Sequence, residues 1–531
     1  MSALKTVFDI KLFSRLFSDK NLTKKASLNA FASALDYGSR LIVGFLVQPI
    51  MVSGLGDYYY GVWQILLRLI GYITPAGGRP AQALKMTLAN QQTAATDDEK
   101  RRYVGSSLIV WAIFLPIMAI LGGLLTWFVP YWIKAPVQYY WTIRMTAAIM
   151  VVNLILSNVA TVPSSALEGE NLGYKRMGLS ASLVFLGGGL TWLAVWLKTG
   201  IIGIGVVTFL ITIITGVFYL WVMRDYAPWF GVAKPSLTSV IKFIGLSWWF
   251  LAWNLIMNLM TASDVVILGI LLSVQTVTDY SLSKYVPETL ISIVAIMAFG
   301  VAPGLGGIIG SGNYEKASKV RGEIMAFTWL IVSVLGTMVL LWNRSFINLW
   351  VGSKHFIGSI PDLLIVVVVM QFILIRNDGN VIDLSLRLKQ KVIMGAVSVA
   401  LSLGIALVLI QWLNLGVIGI CFGLIIGRLI LSAGYPILVG RLLGVSFLSQ
   451  VKSSIRPALV TASFFLLATY FDSFFIAKGM LAVRGWFTLA LYIGITLLGA
   501  LVLAFYLGLS SGQRNNIIQR VRIVLSLTKD Q

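Results

Sequence analysis

The sequence has one cysteine and one histidine in 531 residues. Cys421 has no second thiol with which to close a disulfide. With His355 alone, no Cys/His zinc site, His-dependent catalytic triad or haem pocket can be assembled. Charge is also scarce: 11% of residues are Asp, Glu, Lys or Arg and 58% are hydrophobic, whereas an average soluble domain is roughly a quarter charged. A water-soluble fold of this composition could not cover its surface. Acidic residues are the scarcer sign, 20 against 41 Lys and Arg, for a formal charge of +21. In a hydrophilic chain that excess would suggest nucleic acid. Here the basic residues are dispersed in short segments between apolar runs, which excludes it. A polytopic membrane protein explains both facts, because its spans supply the hydrophobicity and its cytoplasmic loops collect the Lys and Arg. Met1 to Lys25 lacks the uninterrupted apolar core of a cleaved signal peptide; it reads as a basic, amphipathic cytoplasmic tail.

A crossing helix needs about 20 apolar residues. About fourteen candidates can be marked, at 27–53, 58–80, 104–128, 139–163, 177–197, 201–223, 240–270, 275–301, 322–342, 360–385, 392–412, 415–437, 457–476 and 485–508. With the N-terminus inside, 28 of the 41 basic residues fall in cytoplasmic segments. Six fall outside: Lys134, Lys198, Arg344, Lys354, Lys478 and Arg484. That bias places both termini in the cytoplasm and requires an even number of spans. Trp127, Tyr131, Trp132, Tyr139, Tyr140 and Trp141 form an expected outer aromatic belt.

A periodicity of about 220 residues relates the second span to the eighth: Tyr60, Gln64 and Arg68 sit at the offsets of Tyr280, Lys284 and Glu288. At i, i+4, i+8 each set lies on one helical face. Glu99-Lys100 before Val104 recurs as Glu315-Lys316 before Val320, after Pro/Gly breaks at Pro75 and Pro303. The expected fold is therefore all-α, with two six-helix lobes in parallel pseudo-repeat about the membrane normal and two added C-terminal helices. The corresponding segments are a basic tail 1–26, an N-lobe 27–224, an inter-lobe loop 225–239, a C-lobe 240–440, spans 13–14 at 441–508 and a tail 509–531.

Seven basic residues remain within spans: Arg40, Arg68, Arg79, Arg144, Lys284, Arg376 and Arg428. Facing lipid, each would cost roughly 2.5 to 3.5 kcal/mol, so they should face protein or a hydrated cavity. Asn29, Ser33, Asp36, Arg40, Gly44 and Gln48 form one stripe; Tyr60, Gln64, Arg68, Tyr72 and Arg79 form a second. Ser247, Asn254, Asn258, Thr261 and Asp264 form a third. Structural readings stand beside functional ones. Asp36 and Arg40, or Lys284 and Glu288, could neutralise each other at i, i+4. Arg144 could snorkel to the interface, and Arg428 could bond a neighbouring carbonyl. Arg68 has no local partner. After only 13 strongly apolar residues of the tenth span comes Arg376-Asn-Asp-Gly-Asn. Either irregular backbone lines a cavity there, or Arg376 lies in the cytoplasm. The intramembrane charge of the first lobe is net cationic, with Arg40, Arg68, Arg79 and Arg144 against Asp36. That of the second is slightly anionic, with Lys284, Arg376 and Arg428 against Asp264, Asp279, Glu288, Asp378 and Asp383. An anionic substrate group on the first lobe and a proton- or sodium-binding carboxylate on the second follow as expectations.

Val47-Gln48-Pro49, Gly54-Leu55-Gly56 and Tyr60-Gly61-Val62-Trp63, with the join from Asp264 to Asp279-Tyr280-Ser281, resemble the Wzx-type oligosaccharide flippases of the MOP exporter superfamily. The resemblance implies two six-helix lobes around a central cavity and alternating access. The implied cargo is an undecaprenyl pyrophosphate-linked oligosaccharide moved from the inner to the outer leaflet for cell-surface polysaccharide synthesis. It also implies H+ or Na+ coupling in several members, with membrane lipids and other polysaccharide assembly proteins as partners. Candidate substrate contacts are Arg40, Arg68, Arg79 and Arg376 for the pyrophosphate, with Gln64, Trp63, Asn254 and Asn258 for sugar. Trp253 could add a further aromatic face. Candidate coupling carboxylates are Asp36, Asp264, Glu288 and Asp378. No catalytic residue, metal or cofactor is expected.

Other readings stay open. A multidrug or cation antiporter of the same superfamily would favour an acidic cavity, and a lipid II flippase would carry the same anchor. A membrane glycosyltransferase or polymerase usually needs a longer outer loop than any here. The loop Thr96-Asp-Asp-Glu-Lys-Arg-Arg lacks the signature of the major facilitators.

Overall fold

The computed structural model describes residues 22–91, 95–235, 237–384, 388–480 and 483–527. The expected N-terminal tail, apart from its last few residues, lies outside them. Among the described residues the chain is helical throughout, with no strand. We number the helices α1 Leu22–Ile73, α2 Pro80–Asn90, α3 Asp97–Trp132, α4 Tyr140–Ala160, α5 Val162–Gly169 and α6 Met177–Trp196. There follow α7 Gly200–Tyr226, α8 Leu237–Leu271, α9 Val274–Gly310, α10 Tyr314–Trp350, α11 Ser359–Leu384 and α12 Leu388–Gln411. The last are α13 Gly416–Gly427, α14 Leu429–Leu443, α15 Phe447–Phe471, α16 Trp486–Leu503 and α17 Ser511–Leu527.

Among the described residues, 12 helical stretches are long and apolar enough to cross a membrane. The first, Phe31–Gly77, is 47 residues long and contains both of the first two expected spans. They are separated by a kink at Gly56, whose φ of 73° only glycine adopts without strain. The expected span at 275–301 falls in α9. Sequence signals mark several helix starts. Ser273, Asn313 and Ser446 accept hydrogen bonds from the backbone N–H three residues on, capping α9, α10 and α15. Gly444, at φ 71°, ends α14 in the left-handed conformation.

The chain forms two compact units. The first comprises Met1–Gln48, Ala76–Leu121 and Ala148–Trp248. Its core gathers Leu84 and Leu88 of α2, Val104 and Val110 of α3, Ala166 and Leu167 of α5, Met223 of α7 and Phe243 of α8. The loop after α7 is strapped to α3, because Arg101 Nε donates to the Trp229 carbonyl at 2.8 Å.

The second unit comprises Pro49–Pro75, Gly122–Ala147 and Trp249–Gln531. Here α12 and α13 pack through a run of small residues, since apolar area alone gives helices in lipid no reason to associate. Gly419, Gly423 and Gly427 recur every fourth residue. A Cβ on Gly423 would lie 2.6 Å from the Ala406 backbone nitrogen, and one on Gly427 would lie 2.4 Å from that of Ser402. The close approach lets Ser398 donate to the Gly427 carbonyl at 3.1 Å.

The expected irregular backbone at Arg376-Asn-Asp-Gly-Asn is corrected by the structure: α11 runs unbroken through it to Leu384. The polar side chains are satisfied laterally. Asp378, 2% exposed, takes both oxygens' bonds from Arg321 of α10 at 2.8 Å, and Asn377 donates to Thr328 at 2.6 Å. A helix with paired polar groups needs no cavity to tolerate them.

Candidate transport site

In the second unit, the segment following the Gly56 kink lies along α8 and α9, and the polar stripes of the sequence face each other there. Near its start Asp57 meets the turn after α10. Lys354 Nζ is 2.9 Å from Asp57 Oδ2, and His355 Nε2 is 3.6 Å from Asp57 Oδ1. Thr278 Oγ1 donates to the Asp57 carbonyl at 2.6 Å. One turn on, Gly61 admits the α9 backbone so closely that a Cβ would lie 2.3 Å from the Val274 carbonyl oxygen. Arg68 then forks onto Glu288: Nη1 donates to Oε1 at 3.2 Å and Nη2 to Oε2 at 3.0 Å. Beyond it, Asn258 donates to the Gly71 carbonyl at 2.6 Å and the Tyr72 hydroxyl to Ser263 at 3.3 Å. These contacts make one continuous polar seam.

Arg68 thus has a partner after all, 220 residues away, at the position matching its own in the repeat. The Lys284 to Glu288 pairing considered from their spacing is replaced by two others. Lys284 turns to Asp264, its Nζ 2.6 Å from Oδ2, leaving Glu288 for Arg68. Asp264 also accepts from the Tyr280 hydroxyl at 2.7 Å and from the Val265 backbone N–H at 2.9 Å. The two pairs differ in exposure. Lys284 and Asp264 side chains are 6% and 4% exposed, a closed structural pair. Arg68 and Glu288 are 27% and 32% exposed, a more open pair. Trp63 and Gln64, expected to meet sugar, are buried at 5% and 8%. Asn254 and Asn258 are half-buried on α8. Lys391 lies 3.8 Å over the ring of Trp253, the additional aromatic candidate.

In the first unit, Asp36 and Arg40 do pair, at 3.0 Å, with Arg40 64% exposed. Asp36, but not Arg40, borders a cavity of about 310 Å3 whose polar lining includes Asn29, Asp36, Lys85, Glu168, Arg176 and Ser180. A chain of bonds runs round it. Ser180 donates to Asp36 at 2.7 Å, Tyr219 to Ser180 at 3.2 Å, and Arg176 to Tyr219 at 3.2 Å. Arg176 and Lys85 both bind Glu168, Lys85 at 2.7 Å. Asp36 is the one coupling candidate in this unit. Arg79, at the start of α2 with φ 45°, has no ion pair or side-chain hydrogen bond among the described residues.

Other intramembrane charges settle structurally. Arg428, 3% exposed, donates to the carbonyls of Val368 (3.2 Å) and Met260. Arg144 lies 4.0 Å over the Trp127 ring. Arg376 is half-buried. All five acidic residues counted in the second lobe have basic partners: Asp264 with Lys284, Asp279 with His355, Glu288 with Arg68, Asp378 with Arg321 and Asp383 with Lys391. The charge bias puts Arg321 and Lys391 in cytoplasmic loops, yet the Lys391 side chain is only 3% exposed. Sequence reasoning missed the Asp57, Asp279 and His355 cluster because its members lie in three separate segments, α1, α9 and the turn after α10. The signal was a single histidine beside a lysine in a short loop.

No family model matches the sequence, and no curated protein sequence matches it. Its fold is that of known transporters. A multidrug resistance MATE family transporter of the MOP superfamily, in an inward-facing conformation, superposes with a TM-score of 0.58 at 16% identity, over 77% of this chain and 96% of that one. An outward-facing structure of such a transporter gives 0.54 at 16%, over 81% and 98%. A MOP superfamily transporter from Pyrococcus furiosus gives 0.54 at 16%, over 79% and 96%; it is described as having a binding pocket of reverse polarity that suggests a different function. At this identity the likeness establishes the fold: an all-helical, multi-pass membrane protein of MATE/MOP architecture.

Proposed function

We propose that the protein is a flippase that moves undecaprenyl pyrophosphate-linked oligosaccharide from the inner to the outer leaflet of a bacterial cytoplasmic membrane by alternating access. The observation that carries this reading is the Arg68 fork, two parallel donors on a partly exposed seam between the two halves of the repeat. A pyrophosphate needs such paired, permanently charged donors. Within the same unit, Arg376 is the further cationic candidate, and Asn254 and Asn258 offer amides to the glycan. The polyprenyl tail stays in lipid. The positive-inside bias turns the Asp57 end of the seam outward and both termini to the cytoplasm. Asp36, 30% exposed beside the polar cavity, is the candidate best placed to exchange H+ or Na+. The reverse pocket polarity and different function described for the Pyrococcus furiosus protein support the view that this architecture serves more than one function.

The test is transport in liposomes. Purified protein should move a fluorescent pyrophosphate-linked lipid sugar between leaflets, and Arg68→Gln should abolish that movement. Extrusion of organic cations with no movement of the lipid-linked sugar would establish the antiporter reading in its place.

A further inference from the structure

We propose that Glu288 is an internal stand-in for the substrate's anion: it occupies the Arg68 fork when the seam is closed, and an incoming pyrophosphate opens the seam by displacing it. The inference rests on the reading that Arg68 meets an anionic headgroup.

Three observations carry it. The carboxylate meets the guanidinium through two parallel bonds of 3.2 and 3.0 Å, the same two-point contact a phosphate oxygen pair would make. The Nη1–Nη2 edge of Arg68 is therefore closed to such a group while Glu288 holds it. Second, the pair is 27% and 32% exposed, whereas the neighbouring Lys284 and Asp264 are sealed at 6% and 4%. The reachable pair can exchange partners and the sealed pair cannot. Third, Arg68 and Glu288 sit on opposite sides of the seam, so exchanging one anion for the other removes a bond that closes it. Among the other contacts, Asn258 to Gly71, Tyr72 to Ser263 and Thr278 to Asp57 are neutral hydrogen bonds, individually weaker than a charge-assisted fork, and the Lys354–Asp57 pair at the far end is 68% and 36% exposed and screened by solvent. Glu288 then acts as a specificity-determining residue. A neutral lipid cannot displace it, and a compact dianionic group can.

The experiment places spin labels at Val137→Cys and Trp412→Cys, both exposed at 78%, in a Cys421→Ala background in lipid nanodiscs. Distances are measured with farnesyl pyrophosphate, inorganic pyrophosphate or farnesol, and binding of radiolabelled farnesyl pyrophosphate is measured in parallel. In the parent, farnesyl pyrophosphate should shift population to the longer distance and farnesol should not. Glu288→Gln should raise the open-to-closed ratio without ligand by roughly 10-fold or more, the loss of a charge-assisted contact, and should no longer respond to pyrophosphate. Glu288→Asp should restore both closure and response. Should Glu288→Gln not yield monodisperse protein, Arg68→Gln/Glu288→Gln leaves no charge unpaired and should be equally unresponsive. A Glu288→Gln or doubly substituted protein that stays closed and still opens with pyrophosphate overturns the inference. So does a parent that binds the probe without any distance change; the flippase reading then survives. Failure of the parent to bind any pyrophosphate overturns the reading itself. Opening by inorganic pyrophosphate alone supports the displacement and overturns the lipid-linked cargo.

Discussion

Replacing one partner of the buried Lys284–Asp264 pair tests whether the seam is built as described, and the two partners should not be equivalent. Asp264 is held by three donors: Lys284 Nζ at 2.6 Å, the Tyr280 hydroxyl at 2.7 Å and the Val265 N–H at 2.9 Å. Lys284 has Asp264 and, at 3.5 Å, the Thr261 carbonyl. Asp264→Asn therefore strands an ammonium with little compensation and should cost about 3 to 5 kcal/mol, the range for breaking a buried ion pair. Lys284→Met leaves a carboxylate that keeps two donors, and should cost less, about 1 to 3 kcal/mol. Asp264→Asn/Lys284→Met removes both charges while the introduced amide oxygen can still accept from Tyr280, so its stability should return to within about 1 kcal/mol of the parent. The assay is a double-mutant cycle of reversible unfolding in mixed micelles. Simple addition of the two single costs would refute the reasoning, as would Lys284→Met proving the more damaging change.

Three further changes follow from the packing and from an exposed ion pair. Gly423→Leu should force α12 and α13 apart, because even a Cβ there lies 2.6 Å from the Ala406 backbone. A cost of about 1 to 3 kcal/mol or more is expected, read as a lower melting temperature, while Gly404→Ala, with nothing within 4 Å, should be tolerated. Lys354→Ala should cost less than about 1 kcal/mol, since that pair is 68% and 36% exposed and screened by solvent; a larger loss in the same unfolding assay would show that the Asp57 end of the seam is held far more tightly than its exposure implies.

The helical class and the approximate positions of the spans were legible because bilayer thickness imposes a length on every apolar run. The polar stripes were legible from helical periodicity, and Asp36 with Arg40 from their spacing. What failed was partner choice. Spacing alone joined Lys284 to Glu288, whereas the structure joins each to a residue on another segment. The rule assigning Lys and Arg to the cytoplasm did not foresee that Arg321 and Lys391 turn inward to carboxylates, because a count of charges by side carries no information on partners. The polar run after Ile375 looked incompatible with a helix for the same reason: its compensating groups, Arg321 and Thr328, lie on α10, and nothing in the local sequence announces them.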